Sequence, residues 1–214
     1  MGDADKQSKV FRELPRLNLQ RYLTLQRACH IGSVGVSGSG KSYAMIQLMK
    51  QLPKPVVCIT DGQDSQFDEF DQLDKPSDLL KWAPAKNTGN ISVFGGYDQD
   101  SAMRIYDYVF AVRPCTLYID EAGLFCRTKL PEKISKMLFQ GRKVGHHVLW
   151  SATRPQEVMS SLRSGSIYIM AFRLEEENDI KAVSMRKSNL TVIPNLDYQN
   201  FIIAKGTDDI FLAS

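Results

Sequence analysis

Gly35-Val36-Ser37-Gly38-Ser39-Gly40-Lys41-Ser42 decides how the rest of this chain is read. It matches in full the G-x4-G-K-[ST] pattern of a phosphate loop. Its glycines let the backbone curl until the N–H groups point inward at phosphate oxygens, an approach that side chains would obstruct. Gly35, Ser37, Gly38, Ser39, Gly40, Lys41 and Ser42 are therefore the candidate nucleotide-binding set, with Tyr43 beside them. Lys41 has the reach to act on the β- and γ-phosphates as a point charge, and the Ser42 hydroxyl is a ligand for Mg²⁺. The flanks agree. Cys29 to Val34 reads as a short buried strand, and Ala44, Met45, Leu48, Met49 and Leu52 recur at helical spacing, which turns a helix N-terminus toward the phosphates.

Outward from the loop, strand and helix patterns alternate. Strands are expected at Pro55–Thr60, Ile91–Phe94, Cys115–Ile119, His147–Ser151 and Ile167–Phe172. Helices are expected at Asp78–Trp82 (capped by Ser77), at Ser101–Val112, along the Leu130, Ile134, Met137, Leu138 stripe, from Pro155 to Leu162, and after Glu175-Glu176-Glu177. Phe201–Ala204 and Ile210–Leu212 flank Gly206 and suit a closing hairpin. This alternation predicts an α/β fold, a largely parallel sheet with helices on both faces and a C-terminal strand hairpin.

Composition sets the frame. The 214 residues are enough for one domain with a large core, and 43% hydrophobic with 24% charged is ordinary for a globular chain. No run of about 18 apolar residues predicts a membrane span, and residues 1–9 lack the apolar core of a signal peptide. Cys29, Cys58, Cys115 and Cys126 show no metal-ligand spacing and read as reduced thiols of a cytosolic protein. The net charge of +3 does not by itself point to a nucleic acid. Acidic residues gather between Asp61 and Asp78, and basic ones in the N-terminal arm and from Arg127 to Arg163. Residues 1–26 are expected to be a basic arm, flexible unless Val10, Phe11, Leu14, Leu17 and Leu19 dock it, and residues 27–214 the catalytic domain.

The second signature is the apolar run Cys115-Thr116-Leu117-Tyr118-Ile119 followed by Asp120-Glu121. Asp120, at the end of a buried strand, is placed to hold Mg²⁺ through water beside Ser42, and Glu121 to polarise the water that attacks the γ-phosphate. A carboxylate adjacent to the metal ligand suits hydrolysis of ATP, and there is no Asn-Lys-x-Asp segment to read guanine. His146 and His147 are adjacent at a helix-to-strand junction, and because neighbouring strand residues face opposite ways a joint metal site is not expected. Tyr43 and Trp150 are the aromatic candidates to stack on adenine, Tyr43 having local packing as its ordinary alternative.

The third signature runs from Gln140-Gly141-Arg142-Lys143-Val144-Gly145 through His147-Val148-Leu149-Trp150-Ser151 to Ala152-Thr153-Arg154-Pro155. With the two motifs before it, in this order over roughly residues 28–185, the chain resembles the HerA/FtsK superfamily of ATP-driven DNA pumps. That resemblance implies a RecA/ASCE-like P-loop NTPase. The small size looks most like the genome-packaging ATPases of internal-membrane icosahedral viruses. The resemblance makes Thr153 the occupant of the sensor position. This is a departure, because the family usually places a longer Gln there, and Gln156 is a nearby substitute. It makes Arg142 the candidate arginine finger, acting across a subunit boundary, with Arg154 and Arg127 in reserve.

What the resemblance implies is an ATPase that packages double-stranded DNA into a preformed capsid. It implies a homo-oligomeric ring (pentamer or hexamer), a viral vertex or membrane protein as anchor, and residence at the virion packaging vertex or in the host cytoplasm. DNA-facing candidates are Arg127-Thr128-Lys129, Arg163, Arg186 and Lys187. A filamentous-phage assembly ATPase of the Zot type is similar in the first two motifs. A nucleotide or small-molecule kinase is the other enzyme such a loop can serve.

Overall fold

The computed structural model describes residues 12–13, 30–52, 55–60, 65–73, 76–80, 88–92, 99–112, 114–126, 132–184, 193–194, 196–197, 201–205 and 209–213. The phosphate-loop strand β2 (His30–Val34) leads into helix α1 (Lys41–Met49). Strands β3 (Val56–Thr60), β4 (Asp71–Leu73) and β5 (Thr88–Ser92) follow, then α2 (Gln99–Ala111) and β6 (Thr116–Ile119). After β6 come a single turn α3 (Ala122–Phe125), α4 (Glu132–Gln140), β7 (His147–Ala152) and α5 (Ser160–Gly165). The described chain closes with β8 (Tyr168–Ala171), α6 (Glu177–Ser184) and the hairpin strands β9 (Phe201–Lys205) and β10 (Asp209–Ala213). Arg12–Glu13, strand β1, pairs in parallel with β10.

All the strands form one sheet in the order β1-β10-β9-β8-β2-β7-β6-β3-β5-β4. From β8 to β4 every pairing is parallel, whereas β8–β9 and β9–β10 are antiparallel. The central strands are apolar on both sides because both faces are covered, as parallel sheets require. On one face Ala44, Met45 and Leu48 of α1 pack on Ile31, Val56, Cys58, Tyr118 and Leu149. On the other, Ile105 and Val109 of α2, Ile134 and Met137 of α4, Leu162 of α5 and Val183 of α6 pack on Val57, Leu117, Ile119, Val148 and Trp150. Each large side chain buried this way contributes about 1.5–3 kcal/mol. The α/β architecture with helices on both faces and a terminal hairpin is as the sequence predicts.

Some local expectations need correction. The segment Asp71–Leu73, within the acidic stretch where no strand is expected, is a parallel edge strand whose exposed Asp71 and Gln72 suit a sheet edge. The strand expected at Ile91–Phe94 is described over Thr88–Ser92, because pairing with β3 and β4 on either side recruits Gly89 and Asn90. Positions 93 and 94 lie outside the described residues. The helix expected from Pro155 to Leu162 is split into a 3-10 turn, Pro155–Glu157, and α5. Val158 and Met159 break it with extended ψ angles, and the Met159 N–H donates to Cys126 O (3.0 Å) rather than to a helical carbonyl.

Trp150 is fully buried and its indole N–H donates to Ser166 Oγ at 2.8 Å. It cannot stack on a nucleotide, contrary to the expectation from its aromatic character. Gly32 on the neighbouring strand makes room for it: a Cβ there would lie 2.2 Å from the indole ring.

His30 is sealed at the amino end of β2. Its Nε2–H donates to Leu138 O (3.1 Å) and its Nδ1 accepts from the Val148 N–H (3.1 Å). Burial pushes its pKa down to about 4, so the folded protein holds it neutral where the unfolded chain protonates it. A lowered folded-state pKa means stability is present above the unfolded value and is lost as pH falls toward the folded one. Stability at equilibrium should therefore fall between pH 6.5 and about 4, by up to about 3 kcal/mol from this group. Chemical denaturation of wild type and His30→Asn across that window checks it. The variant should show a shallower slope, and equal slopes would mean His30 is not the titrating group.

Candidate active site

The phosphate loop, the Asp120-Glu121 corner and the Thr153 end of the third signature meet at one edge of the sheet. β2, β7 and β6 are consecutive parallel neighbours, so the phosphate loop, the Thr153 segment and the Asp120-Glu121 corner all leave from carboxyl ends, where open α/β sheets bind ligands. The loop is fastened on both sides. The Gly35 N–H donates to Ala152 O (3.3 Å) and the Val36 N–H to Arg173 O (2.9 Å). Gly38 and Gly40 have φ of +74° and +99°, left-handed conformations that disfavour a side chain. At Gly35 the reason is space, since a Cβ would sit 2.6 Å from Phe172 Cβ and 2.8 Å from Ser39 Oγ.

Lys41 is buried, and its ammonium donates to Val36 O at 3.0 Å. Burial lowers its pKa, while Glu121 and then Asp120 act the other way, so both carboxylates lie within electrostatic range of the ammonium. Ser39 is fully buried and its Oγ has no hydrogen-bond partner among the described residues. A buried hydroxyl left over beside a buried ammonium fits an anionic phosphate. Ser42 is partly exposed next to them and Tyr43 is exposed at the start of α1, open to a base. These residues fit ATP, and Ser42 with Asp120 would offer oxygen donors of the kind that Mg²⁺ takes.

At the corner after β6, Asp120 Oδ1 accepts from Tyr118 OH (2.6 Å) and from Ser151 Oγ (2.5 Å). The same Ser151 oxygen accepts the Glu121 N–H at 3.2 Å. One hydroxyl on β7 thus holds the Asp120 carboxylate and the Glu121 backbone. Glu121 itself has φ +45° and ψ +58°, and it has the only positive φ outside glycine among the described residues. Such a backbone costs about 1–3 kcal/mol and persists where its surroundings over-determine it. Here they do. Besides Ser151, Thr153 donates twice to the Glu121 carboxylate, from its N–H to Oε2 (3.1 Å) and from its hydroxyl to Oε1 (2.5 Å).

The sensor-position residue Thr153 is therefore engaged with Glu121, and the shorter side chain suffices for that contact. Arg154, a reserve for the finger, is instead paired within its own subunit, its Nε donating to Asp179 Oδ2 at 2.7 Å. Arg142 lies in the 3-10 turn before β7 and is exposed. It acts electrostatically on His30 at the amino end of β2. The length of β7 separates it from its own phosphate loop by roughly 20 Å, so it cannot complete the site of its own subunit. Arg163 donates to Ala182 O at 2.6 Å. Arg127, Thr128, Lys129, Arg186 and Lys187 lie outside the described residues.

Sequence reasoning missed Ser151 and Asp179. A serine between Trp150 and Ala152 in an apolar strand, and a lone acid four positions before Val183 on the buried face of α6, were the available signals.

No protein-family model and no curated protein sequence matches the chain. Solved structures do. The genome packaging NTPase B204 of Sulfolobus turreted icosahedral virus 2, in complex with sulfate, superposes with a TM-score of 0.72 at 19% identity, over 88% of this chain and 96% of that one. The same NTPase in complex with ATP-gammaS gives 0.70 at 18%, over 87% and 97%. VirB4 of Thermoanaerobacter pseudethanolicus gives 0.59 at 11%, over 86% and 88%. The likeness shows a shared fold, that of P-loop ATPases.

Proposed function

We propose that this chain is an ATP-driven translocase that moves double-stranded DNA into a preformed viral capsid. The observation that carries the reading is the convergence of Lys41, Asp120 and Glu121 at the carboxyl edge, on a fold shared over nearly the whole of both chains with a viral genome packaging NTPase. The loop amides, Ser39 and Lys41 bind and neutralise the phosphates, and Tyr43 flanks the base. Ser42 and, through water, Asp120 would hold Mg²⁺, which supplies charge neutralisation on the phosphate oxygens. Glu121 polarises the attacking water through carboxylate lone pairs that Thr153 leaves open. Thr153 sets the direction of that carboxylate.

Arg142 sits at the wrong end of its own sheet and is exposed, which favours a role in trans, in a ring of five or six copies. A finger in trans is worth about 10³–10⁵ in rate in related systems. The DNA partner, the ring and an anchor at the virion vertex belong to the same proposal. It is tested by ATP hydrolysis with and without long double-stranded DNA, alongside mass in solution. DNA-stimulated turnover by a ring-sized species supports it. A monomer that phosphorylates an added acceptor would move the chain to the kinases, and turnover indifferent to DNA in an assembled ring would favour an assembly ATPase.

A further inference from the structure

Asp179 is a fully buried carboxylate on α6, remote in sequence from every signature. A buried acid must be paired or hydrogen-bonded, and both of its oxygens are spent on one short segment. Oδ2 accepts from Arg154 Nε (2.7 Å) and Oδ1 from the Gln156 N–H (3.0 Å). That segment begins at Thr153, whose N–H and hydroxyl hold Glu121. On its other side the segment packs against α3: Gly123 lies beside Glu157 Cβ and Arg154 O. The far end of α3 is tied down by the Met159 N–H bonded to Cys126 O.

The stretch from Thr153 to Met159 is thus a bracket between the helix that follows Glu121 and α6. The broken helix at Val158 and Met159 is what lets it serve both.

We propose that Asp179 is a positioning residue for ATP hydrolysis, fixing Thr153 through Arg154 and Gln156 so that the Glu121 carboxylate points at the attacking water. The proposal rests on the ATPase reading above. The effect of Asp179 passes through Arg154 and Gln156 to Thr153. A displaced carboxylate lowers the chemical step without altering the phosphate loop. Asp179→Asn should therefore lower kcat about 10–100-fold with KM for ATP little changed.

A coupling cycle separates this from general weakening of the fold. In a Thr153→Ala background, Asp179→Asn should cost no more than a further twofold. Equal fold-losses in both backgrounds would overturn the proposal, as would an unchanged kcat in the single variant. If Asp179→Asn does not fold, Arg154→Lys, which keeps the charge and loses the Nε geometry, takes its place in the same cycle with the same outcomes. Amide exchange at Thr153 gives a readout that needs no turnover. Exchange should rise in Asp179→Asn of the full chain while Lys41 and Ser42 amides keep their ATP-induced protection; an unchanged Thr153 amide counts against the proposal. Absence of ATP turnover in the wild type would instead sink the ATPase reading, and exchange would still decide the coupling.

Discussion

Glu121→Gln retains ATP binding and loses steady-state turnover by about two to four orders of magnitude, the usual cost of removing a positioned general base. The loss falls on kcat because the phosphate-binding side of the site is built elsewhere: Ser39 stands on the loop after β2, and Lys41 and Ser42 open α1. Gln is nearly isosteric and keeps an oxygen for Thr153, so the corner should stay folded. Its amide cannot take a proton from water. Nucleotide affinity by calorimetry and turnover by phosphate release check the two halves separately. Turnover like that of the wild type would remove Glu121 from its role, and lost binding would show that the carboxylate holds the loop through Lys41 instead.

The second large effect concerns the subunit boundary. Arg142→Ala should lower turnover about 10³–10⁵-fold if the arginine completes a neighbour's site. Lys41→Ala should abolish turnover in its own site. Mixed together, the two inactive proteins should regain measurable ATPase. An Arg142→Ala subunit still has Lys41, and a Lys41→Ala neighbour still offers Arg142, so a minority of boundaries are complete. Recovery would be hard to explain with both residues in one site, given their positions at opposite ends of β2 and β7. No recovery from mixed rings of confirmed assembly would reject Arg142 as the finger.

The parts of this molecule that were legible in its sequence are those whose causes are local. Eight consecutive residues specify the phosphate loop, and unbroken apolar runs such as Val56-Val57-Cys58-Ile59 specify strands covered on both faces. The Asp120-Glu121 pair was legible because the strand before it is. Where the cause is a distant partner, the sequence was silent. Asp71–Leu73 becomes a strand only because β5 is there to receive it, and nothing in its own acidic composition favours that. The roles of Ser151 and Asp179 depend on pairings about thirty and twenty-five positions apart in the chain. The break at Val158 has the same origin. Its local pattern favours a helix from Pro155, and bonds to Cys126 and Asp179 win over that preference. Trp150 shows the reverse error, a residue type read for chemistry that the parallel sheet uses for packing against Gly32.

The most direct measurement of the central claim is displacement of a triplex-forming strand from long double-stranded DNA by the purified protein with ATP. The wild type should strip the third strand only in the presence of hydrolysable ATP, and Glu121→Gln should bind DNA and ATP without displacing it. ATP turnover by an assembled ring on that DNA, with the third strand left in place, would contradict a translocating motor.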